Sequence, residues 1–260
     1  GRARIGARPP NFRFALARRR RIPQSGAPKM DSFVRRWASW PGALATLALT
    51  NVIVFFRHWL GEAQFPADFP MSYYGFVAYW TTAVRHGVSP DWMPFQEMGY
   101  PFFANLQTGI AYPPFWLFPA LDLDYTMHAA VIVEALHVFA GAVGAYAFGR
   151  VLFGRGAPAL LLGVAFHFYG GFYANGQHAD IVRSYALLPW LFVAGHVAPG
   201  QSRIAARNLA LPLVVSMNIT GGYPGNTTSH LLVLGIYLVA SFLPRSRPAW
   251  KLLPILLGAM

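Results

Sequence analysis

Residues 68–114, DFPMSYYGFVAYWTTAVRHGVSPDWMPFQEMGYPFFANLQTGIAYPP, interrupt a chain that is otherwise built from long apolar runs. The stretch is rich in aromatic residues, proline and glycine. Its three acids, with Asp122 and Asp124 just beyond it, are five of the nine acids in the chain. A polar, acidic segment between apolar runs is costly to carry across a bilayer, so we expect such a segment to have a function. We therefore interpret it as the catalytic face of an integral membrane protein.

The composition of the whole chain favours a membrane protein. Of its 260 residues, 55% are hydrophobic and only 12% are charged, and the mean hydropathy is +0.37. Globular proteins carry about 25% charged residues, so a soluble core does not explain this deficit. The chain contains no cysteine, which excludes a disulfide framework and a thiolate metal site.

The net charge of +12 comes almost entirely from the N-terminal tail. The segment before Trp37 contains eleven basic residues and one acid, Asp31, so its net charge is +10. The rest of the chain contains ten basic and eight acidic residues. Because four prolines interrupt this tail, residues 1–36 are predicted to be a disordered cytoplasmic tail near anionic lipid, not a nucleic-acid-binding surface. Met30 is an alternative start, in which case residues 1–29 are not translated.

The rest of the chain, residues 37–260, is predicted to be an all-α, polytopic transmembrane domain with an outer loop at 61–124. Apolar runs close to the ~20 residues of a spanning helix predict about six spans. These lie at about residues 40–60, 125–148, 157–173, 181–197, 209–219 and 229–243. A truncated seventh begins at Leu252, and we expect the chain to be a fragment. The alternative for the first run is a cleavable signal peptide, but no small-residue cleavage site follows it, so an uncleaved helix is favoured.

Positive charge predicts that the N-terminus is cytoplasmic. The turns on the predicted inner side hold seven basic residues and no acid: Arg150, Arg155, Arg203, Arg207, Arg245, Arg247 and Lys251. The predicted outer side holds three arginines together with seven of the nine acids. Gly141, Ala145 and Gly149 recur at four-residue spacing in the second run, which predicts a face for close helix packing.

Asp68 is the candidate catalytic residue because it follows the outer end of the first predicted span. A carboxylate there could act as a general base toward a sugar hydroxyl, or hold a divalent cation. No other cofactor is indicated, and no metal ligands are assigned. The alternative is a solvated loop acid.

Two further groups of outer residues are candidates for substrate binding. Asp91, Trp92 and Glu97 lie among prolines and glycines that indicate a shaped loop, where an aromatic ring could stack on a sugar or lie in the headgroup layer. Gln107 and Tyr112 lie where the stretch returns to the membrane. Their polar groups could contact a ligand or make buried structural hydrogen bonds.

His178, Asp180 and Arg183 form a polar cluster at the second predicted outer turn. A guanidinium matches phosphate oxygens bidentately, so Arg183 could bind a lipid-linked phosphate. An Asp180–Arg183 ion pair is the alternative.

Glu134 and His137 lie three residues apart on one face of the second predicted span. Ionisable groups at this depth suggest function. A hydrogen-bonded packing pair is the interpretation that we favour.

Several short motifs resemble, in order and spacing, the YfhO-type family of bacterial membrane proteins. They are Asp68-Phe-Pro-Met-Ser-Tyr-Tyr, Gly87-Val-Ser-Pro-Asp-Trp-Met-Pro, Gly99-Tyr-Pro, Gln107, Tyr112-Pro-Pro, Gly149-Arg150, His178, Leu188-Pro189-Trp190 and Gly221-Gly222-Tyr223-Pro224. Met93 departs from the pattern, where Asn is expected. That family is longer and is related to the GT-C glycosyltransferases.

The resemblance implies a GT-C-like enzyme of the bacterial inner membrane. It would transfer a sugar from a polyprenyl-phosphate donor to a cell-envelope acceptor on the outer face, with Asp68 as general base. Its partners would be the lipid-linked sugar and membrane lipid, with no nucleic acid and no protein partner assigned. The alternative is a non-enzymatic polytopic protein, either a transporter or an envelope assembly partner, in which Glu134 and His137 matter more than Asp68.

Overall fold

A computed structural model describes residues 38–196 and 206–242, and these residues are mostly helical. The predicted basic tail and the predicted seventh span lie outside the described residues. The helices are α1 (Trp40–Val54), α2 (Phe56–Trp59), α3 (Tyr74–Arg85), α4 (Leu117–Ala120), α5 (Met127–Phe153), α6 (Gly156–His167), α7 (Gly170–Ala174), α8 (Ala179–Gly195), α9 (Ala206–Gly221) and α10 (Pro224–Phe242).

The long helix α5 lies at the centre of the bundle, where it packs against α1, α6 and α8. Small residues make this possible. A Cβ atom on Gly141 would lie 3.0 Å from the Cα of Ala186 in α8, and one on Gly149 would lie 2.8 Å from the Cα of Ala159 in α6. The predicted small-residue face is therefore confirmed as a packing surface, and it serves two neighbouring helices.

Buried polar side chains also tie the helices together. Asn51 of α1 donates a hydrogen bond of 2.9 Å to the carbonyl oxygen of Ala135 in α5. The indole nitrogen of Trp190 in α8 donates one of 2.9 Å to the carbonyl oxygen of Ala140. Such bonds satisfy polar groups that would otherwise be buried without partners, so they fix the register of helices whose surfaces are largely apolar.

Each of the six predicted apolar runs forms helix in the structure. The first is interrupted at Phe55, between α1 and α2, and the third is interrupted between His167 and Gly170. By length and composition, two segments of the described chain could cross a membrane, Met127–Phe153 and Gly156–Ala174. The prediction of a mostly helical chain is confirmed, and that of membrane-spanning helices is supported at these two places.

Residues 61–126 form a folded cap over one end of the bundle. The sequence predicted an outer loop at residues 61–124, and within it the structure contains the twelve-residue helix α3, whose Phe76, Val77, Trp80 and Thr81 are buried. A two-stranded antiparallel hairpin follows, with β1 (Trp92–Met93) paired to β2 (Tyr100–Pro101). A short helical turn at Phe69–Tyr73 precedes α3, and three more lead from the hairpin back toward α4 and α5, at Phe102–Ala104, Leu106–Thr108 and Pro113–Trp116.

The end of α3 is anchored to the end of the cap. Arg85 donates a hydrogen bond of 2.8 Å from Nε to Asp122 Oδ1, and its Nη1 atom pairs with Asp124. These bonds raise the pKa of the Arg85 guanidinium, so it stays charged. Two of the five clustered acids therefore have a structural partner.

Candidate functional site

The cap and the N-terminal end of α8 meet where the carboxylate of Asp68 lies against the imidazole of His178. The distance between Asp68 Oδ2 and His178 Nε2 is 3.2 Å, and the Asp68 side chain is 55% exposed. The residue before it, Ala67, has φ of +49°, a left-handed conformation that is strained for a residue with a Cβ atom. An accessible carboxylate with an imidazole donor beside it can accept a proton from a bound hydroxyl group.

Asp180 lies beneath this pair and is completely buried. Gln107 donates a hydrogen bond of 2.7 Å to Asp180 Oδ2, and the backbone nitrogen of Ile181 donates one of 2.9 Å to Oδ1. The same amide of Gln107 lies 3.3 Å from the hydroxyl oxygen of Tyr73. Both carboxylate oxygens are thus occupied, so Asp180 holds the cap on the bundle.

Arg183 is buried one turn further along α8, where its Nε atom donates a hydrogen bond of 2.6 Å to the carbonyl oxygen of Gly221. Its guanidinium carbon lies 5.2 Å from the ring centre of Phe115 and 6.0 Å from that of Tyr112, within cation–π range. No ion pair joins it to Asp180 in the described part of the chain. The alternative of an Asp180–Arg183 pair is wrong, because Asp180 is already bound by Gln107.

Tyr112 and His137 form a buried pair between the cap and α5. His137 Nδ1 lies 2.7 Å from the carbonyl oxygen of Val133, so this nitrogen carries the proton and Nε2 accepts from the Tyr112 hydroxyl at 2.9 Å. The interpretation that Glu134 and His137 bind one another is therefore wrong. His137 accepts the hydrogen bond from Tyr112, and Glu134 Oε1 is buried with no hydrogen-bond partner in the described part of the chain.

Asp91, Trp92 and Glu97 lie on the hairpin. Tyr79 donates a hydrogen bond of 2.5 Å to the carbonyl oxygen of Trp92, and Glu97 has φ of +50° in the turn. All three side chains are exposed. Among the described residues, no hydrogen bond or ion pair joins them to Asp68, His178 or Asp180. The structure thus brings together six of the nine candidate residues and leaves these three on a separate surface.

Some residues of the site were not recognised in the sequence. Burial and the nearby Asp180 raise the pKa of Tyr73, so its hydroxyl stays protonated. Ser184 Oγ donates a hydrogen bond of 2.9 Å to the carbonyl oxygen of Asp180 and accepts one of 2.8 Å from the nitrogen of Tyr223. Tyr73 belongs to the Asp68 motif, which could have indicated its role. Nothing in the sequence pairs Ser184 with Tyr223.

Two cavities border α5. One is an apolar groove of about 590 Å³ between α5, α8 and α9, with the Tyr112–His137 pair, Leu136, Trp190 and Met217 in its walls. The other is a cavity of about 330 Å³ between α1, α5 and α7, and Glu134 lies in its wall. No group of three or more histidine, aspartate or glutamate side chains in the described residues could hold a metal ion, so a cation at Asp68 would need other ligands.

Compared with protein-family models, with curated proteins and with solved structures, the chain matches none of them.

Proposed function

We propose that the chain is a YfhO-type, GT-C-like membrane protein that transfers a sugar from a polyprenyl-phosphate donor to a cell-envelope acceptor. It would cross the bacterial inner membrane about six times, with its N-terminus in the cytoplasm and the cap on the outer face. Asp68 would take the proton from the acceptor hydroxyl, which attacks the anomeric carbon as polyprenyl phosphate leaves. A single displacement of this kind inverts the anomeric configuration.

The observation that carries this proposal is the exposed Asp68 carboxylate beside His178. The two residues lie 110 positions apart, and they meet at the end of the bundle that the cap covers. A general base needs access to its substrate and a neighbour that orients it; the side chain of Asp68 is exposed, and its carboxylate lies 3.2 Å from His178. The buried residues around Asp180 hold the two segments together.

The apolar groove is an argument for a substrate with a long hydrocarbon chain. Its walls are almost entirely aliphatic and aromatic, and its polar group is the Tyr112–His137 pair. The guanidinium of Arg183 lies 6.0 Å from the ring centre of Tyr112, so a positive charge is close to the polar part of the groove. A phosphate on a polyprenyl chain combines these two requirements.

A second candidate is a non-enzymatic protein, a transporter or an envelope assembly partner. The carboxyl group of Glu134 favours this second candidate, since its Oε1 atom has no hydrogen-bond partner in the described residues. A buried acid in a spanning helix is a natural relay for protons or ions. The two candidates rank the acids differently. Asp68 is the more important in the transferase, and Glu134 is the more important in the transporter.

The test is sugar transfer from a polyprenyl-phosphate donor in proteoliposomes that contain the full-length protein. Asp68→Asn keeps the size of the side chain and should lower turnover by about 10²–10⁴-fold, with donor binding retained. Glu62→Gln is the matched control, since Glu62 is an exposed acid of the same cap. Undiminished transfer by Asp68→Asn would remove Asp68 as the base. Absence of sugar transfer by the unaltered protein would favour the non-enzymatic candidate.

A further inference from the structure

The cavity of about 330 Å³ has the properties of a second binding site, separate from the apolar groove. It lies where the end of α1, the middle of α5 and the segment from α7 to α8 come together. Cavities that bind small molecules generally measure about 300–1,000 Å³, so this one can hold a small ligand. Pro66 and Gln177 are among its lining residues, and they stand close in sequence to Asp68 and His178.

Glu134 supplies a carboxyl group to this cavity that the protein itself does not satisfy. The residue is only 2% exposed, and its Oε1 atom has no hydrogen-bond partner among the residues that the structure describes. Its neighbour His137 is engaged by Tyr112. No ion pair joins Glu134 to Arg183 in the described residues, and the Nε atom of Arg183 is bound to the carbonyl oxygen of Gly221. A buried acid without a partner is costly, which a ligand can relieve.

The walls of the cavity indicate the kind of ligand. Three phenylalanine rings line it, from Phe55, Phe65 and Phe172, and the centres of the first two lie 6.0 Å apart. Among the described residues, no lysine or arginine lines the cavity, and its ionisable residues besides Tyr173 are Glu134 and His58. Aromatic faces together with a carboxylate attract organic cations through cation–π and charge-assisted hydrogen bonds.

We propose that this cavity binds a small organic cation, with its ammonium group hydrogen-bonded to Glu134 and its hydrocarbon part between Phe55, Phe65 and Phe172. The site is distinct from the Asp68 site, and the proposal does not depend on sugar transfer. A catalytic role for Asp68 and cation binding at Glu134 can each fail without the other.

The experiment is calorimetric titration of the purified full-length protein in lipid nanodiscs with benzylamine. Benzyl alcohol has nearly the same shape but no charge, so it separates a cation site from a general apolar cavity. We expect saturable binding of benzylamine, at least tenfold tighter than that of benzyl alcohol. Glu134→Gln should weaken benzylamine binding at least tenfold. Glu62→Gln, an exposed acid 3.8 Å from Arg57, should leave it unchanged.

A second variant keeps the test decisive if Glu134→Gln fails to fold. Ala174 is exposed at the edge of the cavity, and Ala174→Trp should fill the cavity while leaving Glu134 in place. We expect this variant to lose benzylamine binding and to keep the melting temperature of the parent. Absence of saturable binding, equal binding of the alcohol, or unchanged binding in either variant would overturn the proposal.

Discussion

The side-chain amide of Gln107 donates a hydrogen bond of 2.7 Å to the buried carboxylate of Asp180, and the two residues lie 73 positions apart. Through this bond the cap is attached to the N-terminal end of α8. Because His178 precedes α8 directly and Asp68 precedes the first turn of the cap, the same attachment holds the Asp68–His178 pair together.

The Gln107–Asp180 bond should contribute measurably to stability. A hydrogen bond to a charged group contributes about 1.5–3 kcal/mol, so Gln107→Leu and Asp180→Asn should each destabilise the protein and show a coupling energy of that order. The measurement is a double-mutant cycle of unfolding in mixed detergent micelles. Gln96→Leu, outside this network, is the control. Additive effects of the two substitutions would contradict the structural role of the bond.

Close packing around α5 predicts opposite effects for two glycines. Gly149→Ala places a methyl group 2.8 Å from the Cα of Ala159, and such overpacking costs about 1–3 kcal/mol. The methyl group that Gly235→Ala adds in α10 has no atom of the described residues within 4 Å. This substitution should therefore stabilise the helix by about 0.5–1 kcal/mol. Thermal unfolding followed by tryptophan fluorescence measures both. A neutral Gly149→Ala would mean that α5 and α6 pack less closely than described.

The proposed orientation can be tested directly because the chain has no cysteine. Met98 is fully exposed on the hairpin, and Arg155 is exposed in the turn between α5 and α6. In intact cells, a membrane-impermeant maleimide should label Met98→Cys, whereas Arg155→Cys should react only after the membrane is permeabilised. The unaltered protein is the blank. The reverse pattern would place the cap in the cytoplasm and end the proposal of outer-face transfer.

The Asp68–His178 pair should matter for activity more than for stability. Partly exposed ion pairs contribute about 0–1 kcal/mol, so His178→Asn should leave the melting temperature almost unchanged. The same substitution should lower the turnover of sugar transfer, because the carboxylate of Asp68 loses the partner that orients it. Turnover and melting temperature are measured on the same preparation, with His128→Asn as the control. A large loss of stability would show that the pair is structural.

The positions of the helices could be predicted from the sequence alone. Apolar runs of suitable length place helices at all six predicted positions, because in a long apolar segment the helix satisfies every backbone polar group internally. Spacing along a single helix also predicted the packing role of Gly141 and Gly149 correctly. These properties depend on residues close in sequence, so they can be derived without knowing how the chain folds back on itself.

The partners of the buried polar groups depend on the tertiary fold and could not be derived from the sequence. Asp180 is bound by Gln107 and not by Arg183, and His137 is bound by Tyr112 and not by Glu134. In both cases the partner that the sequence suggested, as an alternative for Asp180 and as the favoured interpretation for His137, was three residues away on the same helix, and the actual one lies in the cap. Exposed neighbours on a helix gain little from pairing, whereas a buried group must bind whichever donor or acceptor the fold brings to it.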